Sequence, residues 1–212
     1  DISFLNTAVT HRSYLNENTD ESKVNNERLE FLGDAVLELI TSEYLFSKYP
    51  NREEGDLTSF RAATVRTTTL AETSRELGFG KYLKMSKGEE ESGGKDKDYL
   101  LANLFEAILG AVYLDKGYSV CKEYVYRVLI PKVEKIVEER LDIDPKTRLQ
   151  ELTQSMFRET PMYKVIKEEG PDHNKLFTVK AEIASKDLGI GQGSSKQKAE
   201  EEAAKESLQM LE

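Results

Sequence analysis

Between residues 26 and 48 the apolar positions Leu29, Leu32, Val36, Leu39 and Ile40 recur at helical spacing. The acids Glu27, Glu30, Asp34 and Glu38 fall on the opposite side, within an arc of roughly 80°. This pattern predicts a helix over 26–48 that stops at Tyr49-Pro50, because the residue before a proline disfavours the helical conformation. An acidic stripe opposite an apolar one reads most simply as a solvated face. Two details disturb that reading. Phe31 and Leu37 flank the acids, and Arg28 is the sole cation of residues 26–38, so the negative charge is not neutralised locally. A divalent cation over the stripe is the other reading, and the pattern by itself leaves both open.

The same periodicity organises the rest of the first two-thirds. A short helix is expected over 4–10, followed by a polar loop over 16–25. Asp56-Leu57-Thr58 opens another helix, 70–77 continues helical, and Gly78-Phe79-Gly80 breaks it. The charged, Gly-rich stretch 88–98 reads as a mobile loop. A strongly apolar helix over 99–114 ends at Asp115-Lys116-Gly117, a C-cap signal. One long helix over 120–141 carries Pro131 as a kink. No strand is expected before residue 145. After a short linker over 142–145, Asp144 reads as an N-cap and Pro145 as the first helical residue. That helix has Leu149, Leu152 and Met156 as its buried stripe. Alternation then predicts strands over 163–167, 176–183 and 188–191. A closing helix over 195–211 has Ala199, Ala203, Ala204, Leu208 and Leu211 on one side. The expected fold class is an all-α domain over 1–141 and a small α-β-β-β-α domain over 146–212.

Charge changes the picture next. The 212 residues carry a net charge of −9, which at first argues against a nucleic-acid partner. The excess sits in 1–145, with 19 Lys and Arg against 27 Asp and Glu; 146–212 has 11 against 12. Bound metal in the first part and basic clusters in the second would reconcile the sum with a polyanionic partner. The lone cysteine, Cys121, reads as a core thiol in a reducing compartment, so a cytoplasmic location is expected. No apolar run is long enough to span a membrane, and the first residues show no signal-peptide pattern.

A second acidic position lies in the apolar 99–114 run, where Asn103 and Glu106 are spaced i,i+3. A Glu there is costly to bury unpaired, so it faces an Arg, a cleft, a cation or a partner. If this helix packs on the first, Glu30, Asp34, Asn103 and Glu106 converge as oxygen ligands, a set that selects Mg²⁺ or Mn²⁺ over zinc.

Asn26-Glu27-Arg28-Leu29-Glu30-Phe31-Leu32-Gly33-Asp34-Ala35-Val36 resembles the signature of ribonuclease III, a double-strand-specific endoribonuclease. Thr10-His11-Arg12-Ser13-Tyr14, Glu54-Gly55-Asp56-Leu57 and Phe105-Glu106-Ala107 are similar to further blocks of that family. The resemblance implies a homodimeric, Mg²⁺-dependent nuclease whose products carry 5′-phosphates, acting in RNA processing without an organic cofactor. It makes Glu30, Asp34 and Glu106 metal-binding carboxylates, Asp34 and Glu106 catalytic, and Glu27 an outer acid. Asn103 stands where the family most often has Asp. Phe31 resembles the apolar knob of the dimer interface, and Glu38 has no assigned role.

The last third resembles a double-stranded-RNA-binding domain. The resemblance implies RNA contacts from Thr147, Gln150 and Glu151 on the first helix and His173 in the first hairpin loop. Ser195, Lys196 and Lys198 would make them at the start of the last helix. The family's adjacent lysine pair is replaced by Lys196-Gln197-Lys198. Recognition of this kind reads A-form shape, 2′-hydroxyls and phosphates. Because of Asn103, an RNA-binding protein with weak or no cleavage stands as the alternative.

Overall fold

The computed structural model describes residues 1–18, 24–171, 175–183 and 186–211. The chain forms two compact units, Asp1–Asp142 and Ile143–Glu212.

The first unit is helical: α1 (Ile2–Ala8), α2 (Arg12–Glu17), α3 (Glu27–Lys48), α4 (Glu54–Val65), α5 (Thr67–Glu76), α6 (Lys87–Glu91), α7 (Asp98–Lys116), α8 (Tyr118–Val128) and α9 (Ile130–Glu138). Its centre is α7, whose Ala102, Phe105 and Leu109 pack with Val36, Leu37 and Ile40 of α3 and with Cys121 and Val125 of α8. The buried face of α3 departs from expectation. Leu37 is buried and Leu39 is 53% exposed, because the packing stripe turns with α7 rather than following the ideal wheel. Gly117, at φ 79°, closes α7, donating its backbone N–H to the Tyr113 carbonyl.

Three other expectations change. The 120–141 helix is interrupted at Leu129, and Pro131 sits in the first turn of α9, where its missing N–H has no partner to lose. The 88–98 stretch is not an irregular loop. It holds the end of α6 and a 3-10 turn, Gly94–Asp96. Ser86 caps α6 by accepting the Glu89 N–H, Lys97 Nζ donates to Glu89 at 2.7 Å, and Gly94 is buried against Met85. The N-terminal segment carries a second helix, α2, capped where His11 Nδ1 accepts the Ser13 N–H. It is fastened by backbone bonds from His11 to the Lys84 carbonyl and from Lys84 to the Val9 carbonyl. Of the loop expected over 16–25, positions 19–23 lie outside the described residues.

The second unit has α10 (Pro145–Phe157), the antiparallel sheet β1-β2-β3 (Met162–Glu169, Leu176–Ile183, Lys186–Gly193) and α11 (Lys196–Leu211). Asp144 caps α10, accepting the N–H groups of Lys146 and Thr147. Val179 and Ala181 meet Leu149, Ala199, Ala203, Ala204 and Leu208 in one core. Met156 leaves the expected stripe and is 52% exposed; the helix ends one residue later, at Phe157. The fit of β3 on α11 is set by glycine. A Cβ on Gly191 would lie 2.1 Å from the Ala203 nitrogen, so a strand with side chains on this face is held off the helix.

Candidate active site and nucleic-acid interface

The acidic site is built by a helix crossing that admits no side chain. A Cβ on Gly33 would lie 1.8 Å from the Glu106 carbonyl oxygen, and one on Gly110 would lie 2.2 Å from that of Leu29. Backbone meets backbone at this point. The residues three before and one after Gly33 on α3 are thereby carried against residues four and seven positions before Gly110 on α7. Glu30 and Asp34 come from α3, Asn103 and Glu106 from α7.

Their electrostatics show the convergence. The Glu106 carboxyl is pushed up to about 8, first by burial and then by the negative charges of Asp34, Glu30 and Glu38. Glu30 is also raised, by burial and by Glu27, with Asp34 adding to the rise, while a hydrogen bond from Asn103 opposes it. Glu106 is thus neither a wet surface acid nor one neutralised by an Arg. Glu38, assigned no role from the sequence, faces the same cluster, though its own side chain is exposed. Glu27 stands at the outer edge, accepting from the Asn25 side-chain amide at 3.1 Å and lying 3.7 Å from Arg12.

The donor set suits a hard divalent cation: carboxylate and amide oxygens, with neither thiolate nor imidazole among the four. The oxygens are not drawn around one point; among the described residues no three His, Cys, Asp or Glu side chains form a ready cage. Mg²⁺ is compatible with such a loose set because it retains several waters and takes only a few protein carboxylates.

Beside this cluster lies a cleft of about 550 Å³. Glu27, Glu30 and Asn103 line it together with His11, Asn16 and Tyr99. The His11 imidazole is held below its usual value, chiefly by burial. The sequence reading did not include Tyr99, although its i,i+4 spacing from Asn103 is a readable signal.

Phe31 is 79% exposed. Leu39 and Phe46, the latter 75% exposed, continue the same exposed line along α3 at spacings of eight and seven, which return to one helical face. Sequence reasoning found only the first of these three.

In the second unit Thr147, Gln150 and Glu151 are exposed on α10, and Ser195, Lys196 and Lys198 are exposed at the start of α11. Ser195 Oγ accepts the Lys198 N–H and so caps the helix. Lys196 Nζ lies 3.2 Å from Glu168 and 5.6 Å from the Phe177 ring centre; no ion pair among the described residues engages Lys198. His173 lies outside the described residues.

Two family models divide the chain as the units do. One described as ribonuclease-III-like matches residues 1–133, and one described as the double-stranded RNA binding motif matches residues 145–211. A helical nuclease domain followed by an RNA-binding domain of three strands and two helices is the class this fold defines. The chain belongs to the ribonuclease III family. It is 51% identical to a protein named ribonuclease 3 from Streptococcus gordonii, over 99% of this chain and 90% of that one. It is 49% identical, over the same shares, to the ribonuclease 3 of Streptococcus pneumoniae. Among solved structures, the ribonuclease III nuclease domain of Campylobacter jejuni matches with a TM-score of 0.57 and 42% identity, covering 61% of this chain and 86% of that one. That structure's description concerns a region involved in dimer formation. No helix among the described residues is long and apolar enough to cross a membrane.

Proposed function

We propose that this protein is an endoribonuclease that hydrolyses phosphodiester bonds in double-stranded RNA, dependent on Mg²⁺ or Mn²⁺, and leaves 5′-phosphate ends. The observation that carries the reading is the crossing of α3 and α7, where Glu30, Asp34 and Glu106 are forced together until burial and mutual repulsion lift Glu106 to about 8. Such a cluster is relieved by a cation and, once relieved, tolerates a phosphate. When bound, Mg²⁺ supplies charge neutralisation and Lewis-acid activation of the attacking water. Glu30, Asp34 and Glu106 would hold it, with Asp34 and Glu106 closest to the chemistry. Asn103 contributes an amide that bonds Glu30 and keeps that carboxylate turned toward the site. Glu27 stands outside these ligands and, with Arg12, shapes the approach. No side-chain nucleophile is needed.

A second copy of the chain is the proposed partner of the Phe31, Leu39 and Phe46 line, in a homodimer that brings two sites to the two strands of one duplex. Thr147, Gln150, Glu151, His173 and Lys198 make the proposed RNA face of the second unit, with Ser195 holding the helix start. Lys196, tied to Glu168, has the smaller share. The processing of structured RNA in the cytoplasm is the corresponding cellular role.

Incubation with long duplex RNA tests the reading. Cleavage to 5′-phosphorylated fragments is expected with Mg²⁺ and none with chelator; retention of the duplex without cutting under both conditions would instead support an RNA-binding protein. Asn103→Asp is expected to lower the Mg²⁺ concentration for half-maximal cleavage by roughly tenfold, since a neutral oxygen is replaced by a charged one. Superimposable Mg²⁺ titrations of the two proteins would remove Asn103 from the metal site. In salt titrations of duplex binding, Lys198→Ala is expected to reduce the slope of log affinity against log salt by about 1, the loss of one phosphate contact. Lys196→Ala is expected to change it by less than half as much.

A further inference from the structure

The cleft beside the acidic cluster has a chemistry of its own. Its charges are largely paired internally: Glu89 with Lys97 at 2.7 Å and Glu27 with Arg12 at 3.7 Å. Its other lining groups include several that both donate and accept, the amides of Asn16 and Asn103 and the His11 ring, together with the half-exposed Tyr99. A phosphate would meet the Glu30 carboxylate there, and of the acids lining the cleft Glu27 and Glu89 are already paired, which leaves Glu30 to the proposed metal site. A flat, neutral, amphoteric ligand is what such a cleft suits, and its 550 Å³ lies within the range of small-ligand sites. Nucleobases have that character: a π-face for Tyr99 and an edge of donors and acceptors for the amides. The connection to the cluster is direct, since Glu30 and Asn103 belong to both. Tyr99, Asn103 and Glu106, at i, i+4 and i+7 on α7, run from the cleft into the cluster.

The geometry points to a base subsite: the cleft accepts one unpaired, extrahelical nucleobase of an RNA whose adjoining phosphate lies at the acidic cluster. This rests on the proposed nuclease reading and adds to it a preference for duplexes carrying a single bulged nucleotide near the cut. Extruding a paired base costs free energy that an already unpaired base does not, so only the bulged substrate gains from the subsite.

The test uses the full chain and two duplex RNAs that differ by one bulged nucleotide. The wild type is expected to cut the bulged duplex about tenfold faster, a ratio in the range of one aromatic–base stack. Tyr99→Leu and, separately, Asn16→Ala are expected to bring the ratio toward one while the uninterrupted duplex is still cut. With 2-aminopurine as the bulged base and Glu106→Gln as background to hold the RNA uncut, binding is expected to change the fluorescence several-fold. Adding Tyr99→Leu should abolish that change. Equal rates on both duplexes with wild type, or Tyr99→Leu slowing both duplexes equally, overturns the subsite and leaves the nuclease reading intact. Failure of wild type to cut either duplex overturns the nuclease reading and the subsite with it.

Discussion

Glu106→Gln is expected to lower duplex-RNA cleavage by on the order of 10³-fold, and at the same time to make the metal-free protein more stable above pH 7. The first effect follows from removing one of three carboxylates proposed to hold the cation; the loss corresponds to about 4 kcal/mol of transition-state stabilisation. The second follows from the position of the carboxyl, pushed up to about 8 from an ordinary 4.5 by burial and by Asp34, Glu30 and Glu38. A folded-state value above the unfolded one means that the folded chain holds this proton more tightly. The associated stability is therefore complete below about pH 4.5 and is lost as the pH rises through about 8. With each tenfold step worth about 1.4 kcal/mol, ionisation costs the metal-free fold on the order of 5 kcal/mol. Gln has the same shape and never ionises. Denaturant midpoints in chelator from pH 5 to 9 should fall steeply for the wild type and more gently for Glu106→Gln, and Mg²⁺ should narrow the gap. Identical pH profiles for the two proteins would mean that Glu106 is not the strained acid described. Full cleavage by Glu106→Gln would take it out of the site.

Gly33→Ala is expected to be the most damaging single methyl in the first unit. Ordinarily Ala stabilises a helix interior relative to Gly by up to about 1 kcal/mol. Here the added carbon would stand 1.8 Å from the Glu106 carbonyl oxygen and 2.9 Å from the Gly110 nitrogen. Both are backbone atoms, so no rotamer change relieves the overlap and α3 must move away from α7. Overpacking of this kind costs about 3 kcal/mol or more, and the net effect should lower the melting temperature by roughly 10 °C. The same displacement separates Glu30 and Asp34 from Glu106, so Mg²⁺-supported cleavage should fall further than the loss of folded protein accounts for. Gly55→Ala, where a Cβ meets nothing within 4 Å, should leave both properties near wild type. Equal melting temperatures for Gly33→Ala and wild type would mean that the crossing is less tight than described.

Much of the fold was legible because its signals are local. The apolar stripe of α3, the Asp144-Pro145 helix start and the Ala199–Leu208 face each follow from neighbours a turn away along the chain. What was misread depended on partners distant in sequence. Leu37 and Leu39 exchange places because α7 decides which side of α3 is covered. The 88–98 stretch has the composition of a loop, yet Gly94 is buried against Met85, and Ser86, which caps α6, also donates its N–H to Ser13. Met156 has the periodicity of a core residue, yet it lies in the last turn of α10 and is half-exposed. In the interface of the second unit, composition offered two equivalent lysines, and only the fold shows that β1 brings Glu168 to Lys196.

The sequence by itself determined the ingredients of the site: four acids on one helix face, an Asn and a Glu spaced i,i+3 on another, and a family signature joining them. Tertiary structure alone decided which of these acids act on one another. Glu106 is perturbed because two glycines let two backbones touch, which buries its carboxyl beside other negative charges. That perturbation depends on distance and burial, neither of which spacing along a chain can fix.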